Sequence, residues 1–251
     1  MTPLLEVTGL VKRFGGLLAT DALDLTVFPG EVHGLIGPNG AGKSTVIGQL
    51  SGELPQDAGR IGFAGEDIST VPTPLRVRRG LARSFQVTSI FPAFTALENL
   101  VAAVQLGAGH CFRFWRDARR DPALVEPATA ILRQFGLAAR AATRAEDLAH
   151  GEQRQLELAL ALATGPRMLL LDEPMAGLGP GESDAMTRSL AALKGHVAIL
   201  LVEHDMDAVF ALADRISVLV HGRVIAVGTP DQIRADPAVR DAYLGDGDEA
   251  F

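Results

Sequence analysis

Gly37, Pro38, Asn39, Gly40, Ala41, Gly42, Lys43 and Ser44 follow the pattern GxxxxGK[ST], with Thr45 directly behind them. The apolar stretch from Val32 to Ile36 predicts a strand feeding this loop, and Thr45 to Leu50 predicts the helix leaving it. In that setting the backbone N–H groups converge on phosphate oxygens at a helix N-terminus. The glycines let the backbone close around the anion, Lys43 reaches the outer phosphates, and Ser44 offers its hydroxyl to magnesium. The expected ligand is a nucleoside triphosphate.

A second group stands at Asp172 and Glu173, after the apolar run Met168 to Leu171. A buried strand ending in paired carboxylates puts negative charge at the C-terminal edge of a sheet, where open α/β sheets bind ligands. There Asp172 is expected to hold magnesium, directly or through water, and Glu173 to polarise an attacking water as general base. Among the six histidines, His204 lies just past the predicted strand ending at Val202. His33, His110, His150, His196 and His221 show no metal-ligand spacing, so no metal beyond nucleotide-bound magnesium is expected.

The elements that must position these groups are readable from periodicity. Leu4 to Leu10, Ala22 to Val27 and Arg60 to Phe63 predict a β-rich N-terminal part. The short apolar runs Met168 to Leu171 and Val197 to Val202 suit strands buried on both faces of a parallel sheet. Helices are predicted over Glu182 to Leu193 and Met206 to Ala213. Arg215 to Val220 and Arg223 to Val227 flank a hairpin turn at His221-Gly222. From about Phe91 to Ala163 the pattern is helical, opening at Thr95-Ala96-Leu97-Glu98, which has the spacing of a capping box. Pro122 and Pro127 punctuate a helix running to Phe135, and Arg154 to Ala163 forms another.

Composition narrows the setting. The 251 residues are 47% hydrophobic, enough for a sizeable core, and the net charge of −7 argues against a nucleic-acid partner. Cys111 is the single cysteine, so no intrachain disulfide forms and a reducing compartment fits. Glu6, Lys12 and Arg13 interrupt any signal-peptide core, and Glu157 with Gly165-Pro166 keeps the apolar stretch near Leu156 short of a membrane span. The basic-aromatic cluster Phe112-Arg113-Phe114-Trp115-Arg116, with Arg119 and Arg120, reads as a solvated or lipid-proximal loop.

Leu148-Ala149-His150-Gly151-Glu152-Gln153 then makes the pattern specific, because it resembles the signature motif LSGGQ of ATP-binding cassette proteins. With Phe14, Gln86 and His204 it completes that family's motif set in order along nearly the whole chain. The implied fold is α/β: a P-loop NTPase core with a mostly parallel sheet, an N-terminal antiparallel β subdomain and an inserted helical subdomain. On that basis the chain is one domain. Residues 1–86 and 164–235 form the catalytic core with its β subdomain, 87–163 the helical signature subdomain, and 236–251 a C-terminal tail.

The resemblance implies a head-to-tail dimer that sandwiches two ATP molecules, each between one subunit's phosphate loop and the other's signature. Phe14 would stack on adenine, Gln86 would sense the γ-phosphate and magnesium, and His204 would contact the γ-phosphate beside the attacking water. Ala149, Gly151 and Glu152 would serve the nucleotide across the interface, Gly151 opening a helix whose dipole suits a phosphate. Two positions depart from the family pattern. Ala149 replaces the signature serine beside His150 in place of a glycine, and Gly179 ends Ala176-Gly177-Leu178-Gly179, where Asp or Asn is usual.

Within the family, Arg13-Phe14-Gly15-Gly16-Leu17, Arg83-Ser84-Phe85-Gln86, Val202-Glu203-His204-Asp205-Met206, Gly228-Thr229-Pro230 and Ala242-Tyr243-Leu244-Gly245 resemble the ATPase subunit of branched-chain (hydrophobic) amino-acid uptake systems. Such systems pair two ATPase subunits with two transmembrane permeases and an extracytoplasmic binding protein, at the cytoplasmic face of the membrane. A urea or amide importer and a lipid or lipopolysaccharide exporter share much of this pattern. A soluble cassette ATPase acting on ribosomes or DNA usually carries two cassettes or a coiled-coil insertion, and this chain shows neither.

Overall fold

The computed structural model describes residues 2–83, 90–107 and 121–244. Gln86, Cys111, His110, the cluster from Phe112 to Arg120, and Gly245 lie outside the described residues.

The chain opens with a long hairpin, β1 (Leu5–Phe14) and β2 (Leu17–Val27), extended by β4 (Ala58–Phe63) and β5 (Glu66–Asp67) into an antiparallel sheet of order β2-β1-β4-β5. The hairpin runs further than its apolar stretches suggested, because its tip carries exposed Phe14 and Leu17 around Gly15-Gly16. Alternation of buried and exposed residues is lost there while the backbone pairing continues.

The second sheet has the order β10-β9-β3-β8-β7-β6. Its strands are β3 (Val32–Ile36), β6 (Leu81–Arg83), β7 (Met168–Asp172), β8 (Ala198–Val202), β9 (Arg215–Val220) and β10 (Arg223–Gly228). All neighbours pair in parallel except β10, which returns antiparallel through His221-Gly222, both in the left-handed region. That is the primed-turn geometry that suits a tight hairpin. Every residue of β3, β7 and β8 is buried, as continuous apolar runs require; each large apolar side chain so enclosed contributes about 1.5–3 kcal/mol.

Helix α1 (Lys43–Ser51) follows β3, and α2 (Thr73–Arg78) precedes β6. The helical layer comprises α3 (Ala96–Gly107), α4 (Pro122–Gln134) and α5 (His150–Ala163), packed on one another. Thr95 and Glu98 exchange reciprocal bonds at the start of α3, 2.8 and 3.2 Å, so the predicted capping box is present. This layer shares a core with one face of the parallel sheet, where Leu132, Leu156 and Phe135 join Leu169, Leu171 and Ile199. The antiparallel sheet and α1 cover the other face.

Beyond β7 come α6 (Pro180–Ala191), α7 (Met206–Leu212), α8 (Pro230–Ala235) and α9 (Pro237–Leu244). The segment after residue 235 is therefore helical as far as Leu244. Its Val239 is fully buried in a cluster with Ile36, Val218 and Ile233.

Candidate active site

Strand β3 delivers the chain into the loop at Gly37, and α1 begins at Lys43 directly after Gly42. Gly42 has φ 107°, and a Cβ there would stand 2.3 Å from the Ala19 carbonyl oxygen, so only glycine lets the loop lie this close to β2. The Lys43 ammonium is buried and donates to the Gly37 and Pro38 carbonyls, the latter at 3.0 Å. It braces the loop from within.

A cavity of about 460 Å³ opens over this loop. Its walls bring together Phe14, Asn39 to Thr45, Glu173 and His204, residues that the sequence places far apart. Phe14 is half exposed on that wall, with the Lys12 ammonium 5.7 Å from its ring centre. Ala149, Gly151 and Glu152 are not part of the lining. They sit at the start of α5, where Glu152 reaches back to accept from the Ala149 N–H at 3.0 Å and pairs with Arg140 at 2.8 Å. The Arg140 hydrogen bond is the main reason the Glu152 carboxyl lies below its usual range. Gly151 packs against α6, since a Cβ there would stand 2.3 Å from Glu182 Oε1. The other oxygen of Glu182 accepts from the Gly179 N–H at 3.0 Å.

At the end of β7 the carboxylates diverge. Asp172 is buried; Ser44 Oγ donates to its Oδ1 at 3.4 Å, and Arg83 Nη2 donates to its Oδ2 at 3.1 Å. Burial pushes the Asp172 carboxyl up, with Arg83 opposing that shift and Glu173 adding to it. Glu173 has φ 51°, left-handed backbone that costs a non-glycine residue roughly 1–3 kcal/mol, and its N–H is held by the Val202 carbonyl at 2.8 Å. The turn points Glu173 at His204, Oε1 to Nε2 2.7 Å. A carboxylate and an imidazole beside a phosphate loop can together orient a water and move its proton.

Two residues of this site carried no assigned chemistry in the sequence reading. One is Arg83. The other is Glu203, buried at the end of β8, which accepts from the Met175 N–H at 2.7 Å and the His204 N–H at 3.1 Å. It thereby ties the turn after Glu173 to the turn bearing His204. Burial raises its carboxyl pKa despite those donors. Its local signal was an acidic residue closing an all-apolar strand, the same signal that exposed Asp172.

The family described as "ABC transporter" matches residues 20–176, and the one described as "Branched-chain amino acid ATP-binding cassette transporter" matches residues 223–249. The high-affinity branched-chain amino acid transport ATP-binding protein BraF of Pseudomonas aeruginosa is 42% identical over 97% of this chain and 98% of its own. This chain belongs to the ATP-binding cassette transporter family. It is accordingly a cassette ATPase that binds nucleotide. The lipopolysaccharide export ATP-binding protein LptB of Escherichia coli K12 is 33% identical over 96% of this chain and 97% of its own. Among solved structures, the ADP conformation of the cassette MJ1267 superposes with a TM-score of 0.83 at 30% identity, covering 98% of this chain and 100% of that one. The cassette fold expected from the motifs is the fold found, with its antiparallel sheet, mostly parallel sheet and helical layer. Among the described residues no helix is long and apolar enough to cross a membrane, and no group of three or more His, Cys, Asp or Glu gathers for a metal.

Proposed function

We propose that this cassette hydrolyses ATP to drive uptake of branched-chain or other hydrophobic amino acids through partner permeases. The observation that carries the amino-acid assignment is the 42% identity to BraF over 97% of the chain, above the 33% shared with LptB. That ordering favours an importer of amino acids over a lipopolysaccharide exporter. The C-terminal match to the branched-chain family supports the same choice.

In this reading Lys43 and the backbone N–H groups of residues 39–45 hold the phosphates, and Phe14 stacks on adenine. Glu173 is the general base, and His204, fixed by Glu173 and the Glu203-anchored turn, holds the water and γ-phosphate in register. Ser44 and Asp172, two oxygen donors 3.4 Å apart with Asp172 a buried carboxylate, fit a hard divalent cation. Magnesium held there with Gln86 would neutralise phosphate charge as the bond breaks. Ala149, Gly151 and Glu152 lie apart from the cavity, as a signature that serves a second subunit's nucleotide should. The working unit is a dimer of cassettes beneath two permeases, peripheral at the cytoplasmic face of the membrane, with an extracytoplasmic binding protein acting on the permeases. Residues 1–86 and 164–235 act as the catalytic core, and 87–163 as the moving helical part.

The segment from Gln86 through Phe94 transmits the change to the permeases. Phe91 and Phe94 are exposed with ring centres 5.2 Å apart, and Asn99 grips this turn through both ends of its amide, accepting from the Phe91 N–H at 2.8 Å and donating to the Phe91 carbonyl at 3.1 Å. Phe91 borders a groove of about 520 Å³ lined by Ala103, Leu106, Leu160 and Ala161. Replacing Phe91 and Phe94 together by Ser is expected to leave ATPase activity of the isolated subunit within about twofold, since exposed sites away from such features change stability little. Uptake in cells should be lost. Normal uptake by the double variant would remove this surface from the pathway.

The assignment is tested by purifying a tagged form from its own host's membranes with ATP and identifying what accompanies it. Two polytopic permeases encoded with a periplasmic amino-acid-binding protein are expected. Lipid-export components in their place would overturn the amino-acid reading.

A further inference from the structure

Arg83 stands between two carboxylates at the end of β6. Its Nη2 donates to Asp172 Oδ2 at 3.1 Å and its Nη1 to Glu53 Oε2 at 2.5 Å, and its Nε is buried with no hydrogen-bond partner among the described residues. The three groups differ in exposure: the Asp172 side chain is wholly enclosed, that of Arg83 nearly so, and that of Glu53 is 40% exposed. A buried carboxylate needs a counter-charge, and among the described cationic side chains Arg83 is the one whose ion pair reaches Asp172. Ser44 supplies only a neutral hydroxyl at the other oxygen.

We propose that Arg83 is a place-holding counter-ion for Asp172, which magnesium displaces when nucleotide is loaded. The inference rests on Asp172 being the magnesium residue. A divalent cation arriving at a carboxylate already neutralised by a guanidinium meets like charge. The guanidinium can yield without becoming an orphan, because Glu53 holds its other arm. Its rigid fork spans both acids at once, which a lysine's single ammonium cannot match. Arg83 also borders the groove beside Phe91, so the same displacement alters that wall. Arg83 is thus a positioning residue that sets the metal requirement for nucleotide binding.

The test measures binding of a fluorescent, non-hydrolysable ATP analogue to the full chain as magnesium is titrated. Roughly 150 mM salt screens exposed charges that lie beyond about 8 Å. Arg83→Met should lower the magnesium concentration for half-maximal binding by about five- to tenfold, and Arg83→Lys should fall between it and the wild type. The metal-free Arg83→Met protein should melt lower than wild type and recover most of the loss once magnesium and analogue are added. Glu53→Gln, at an exposed site, should shift the requirement the other way, up by about two- to threefold, because the guanidinium is left wholly to Asp172. If Arg83→Met does not fold, Glu53→Gln decides. An unchanged magnesium requirement in Glu53→Gln, or an Arg83→Met loss of stability that magnesium does not repair, would make Arg83 a brace between strands and end the proposal. Wild-type binding indifferent to magnesium would instead overturn the metal assignment of Asp172.

Discussion

Replacing Glu173 by Gln is expected to slow ATP turnover by about 10²–10⁴-fold while leaving ATP affinity within a few-fold of wild type. The amide still accepts a hydrogen bond from His204 at the position of Oε1, so the 2.7 Å contact and the strained backbone at φ 51° have no reason to relax. What disappears is the basic oxygen that would take the proton of the attacking water. Steady-state phosphate release beside equilibrium ATP binding separates the two effects, and gel filtration with ATP should show a dimer that persists. Turnover at the wild-type rate would mean that another group activates the water.

The second large effect is at Lys43. Lys43→Ala should weaken ATP binding by at least about 100-fold, because it removes charge-assisted bonds to phosphate worth roughly 1.5–3 kcal/mol each. The loss has a second part, absent from a simple charge argument. Lys43 donates to the Gly37 and Pro38 carbonyls, so its removal takes away a brace of the loop as well. Calorimetric titration with ATP, set beside a melt without nucleotide, reads both parts. Unchanged affinity would mean that the loop holds phosphate by its backbone alone.

Legibility from sequence followed the range of the interactions. The phosphate loop was plain because strand, loop and helix are contiguous, and Asp172 and Glu173 because they close an all-apolar strand. His204 was placed by the end of β8 together with the family likeness. Arg83 was not legible. Its role exists only because β6 pairs with β7, setting Arg83 opposite Leu170 across 87 positions of chain, and nothing near Arg83 announces that register. The described part of β6 is only three residues long, below what periodicity can detect. The hairpin tip failed for a different reason. Phe14 and Leu17 face the nucleotide cavity and solvent, so the alternation that marks a half-buried strand stops where the site begins. Glu203 shows the opposite case, a visible residue whose two N–H partners, Met175 and His204, lie on separate turns.

Glu182 belongs to α6, the helix after β7, yet it touches the first turn of α5 at Gly151 and closes onto Gly179 with its other oxygen. The start of α5 is therefore seated on α6, the helix that follows the turn at Glu173. The contact would serve as a fulcrum: were the helical layer to tilt against the sheet, Gly151 would travel least and Leu106, at the groove lined by the other end of α5, would travel further. A small displacement near the phosphates would arrive at the groove as a larger stroke. An added methyl at Gly151 would jam the pivot and leave the chemical groups in place.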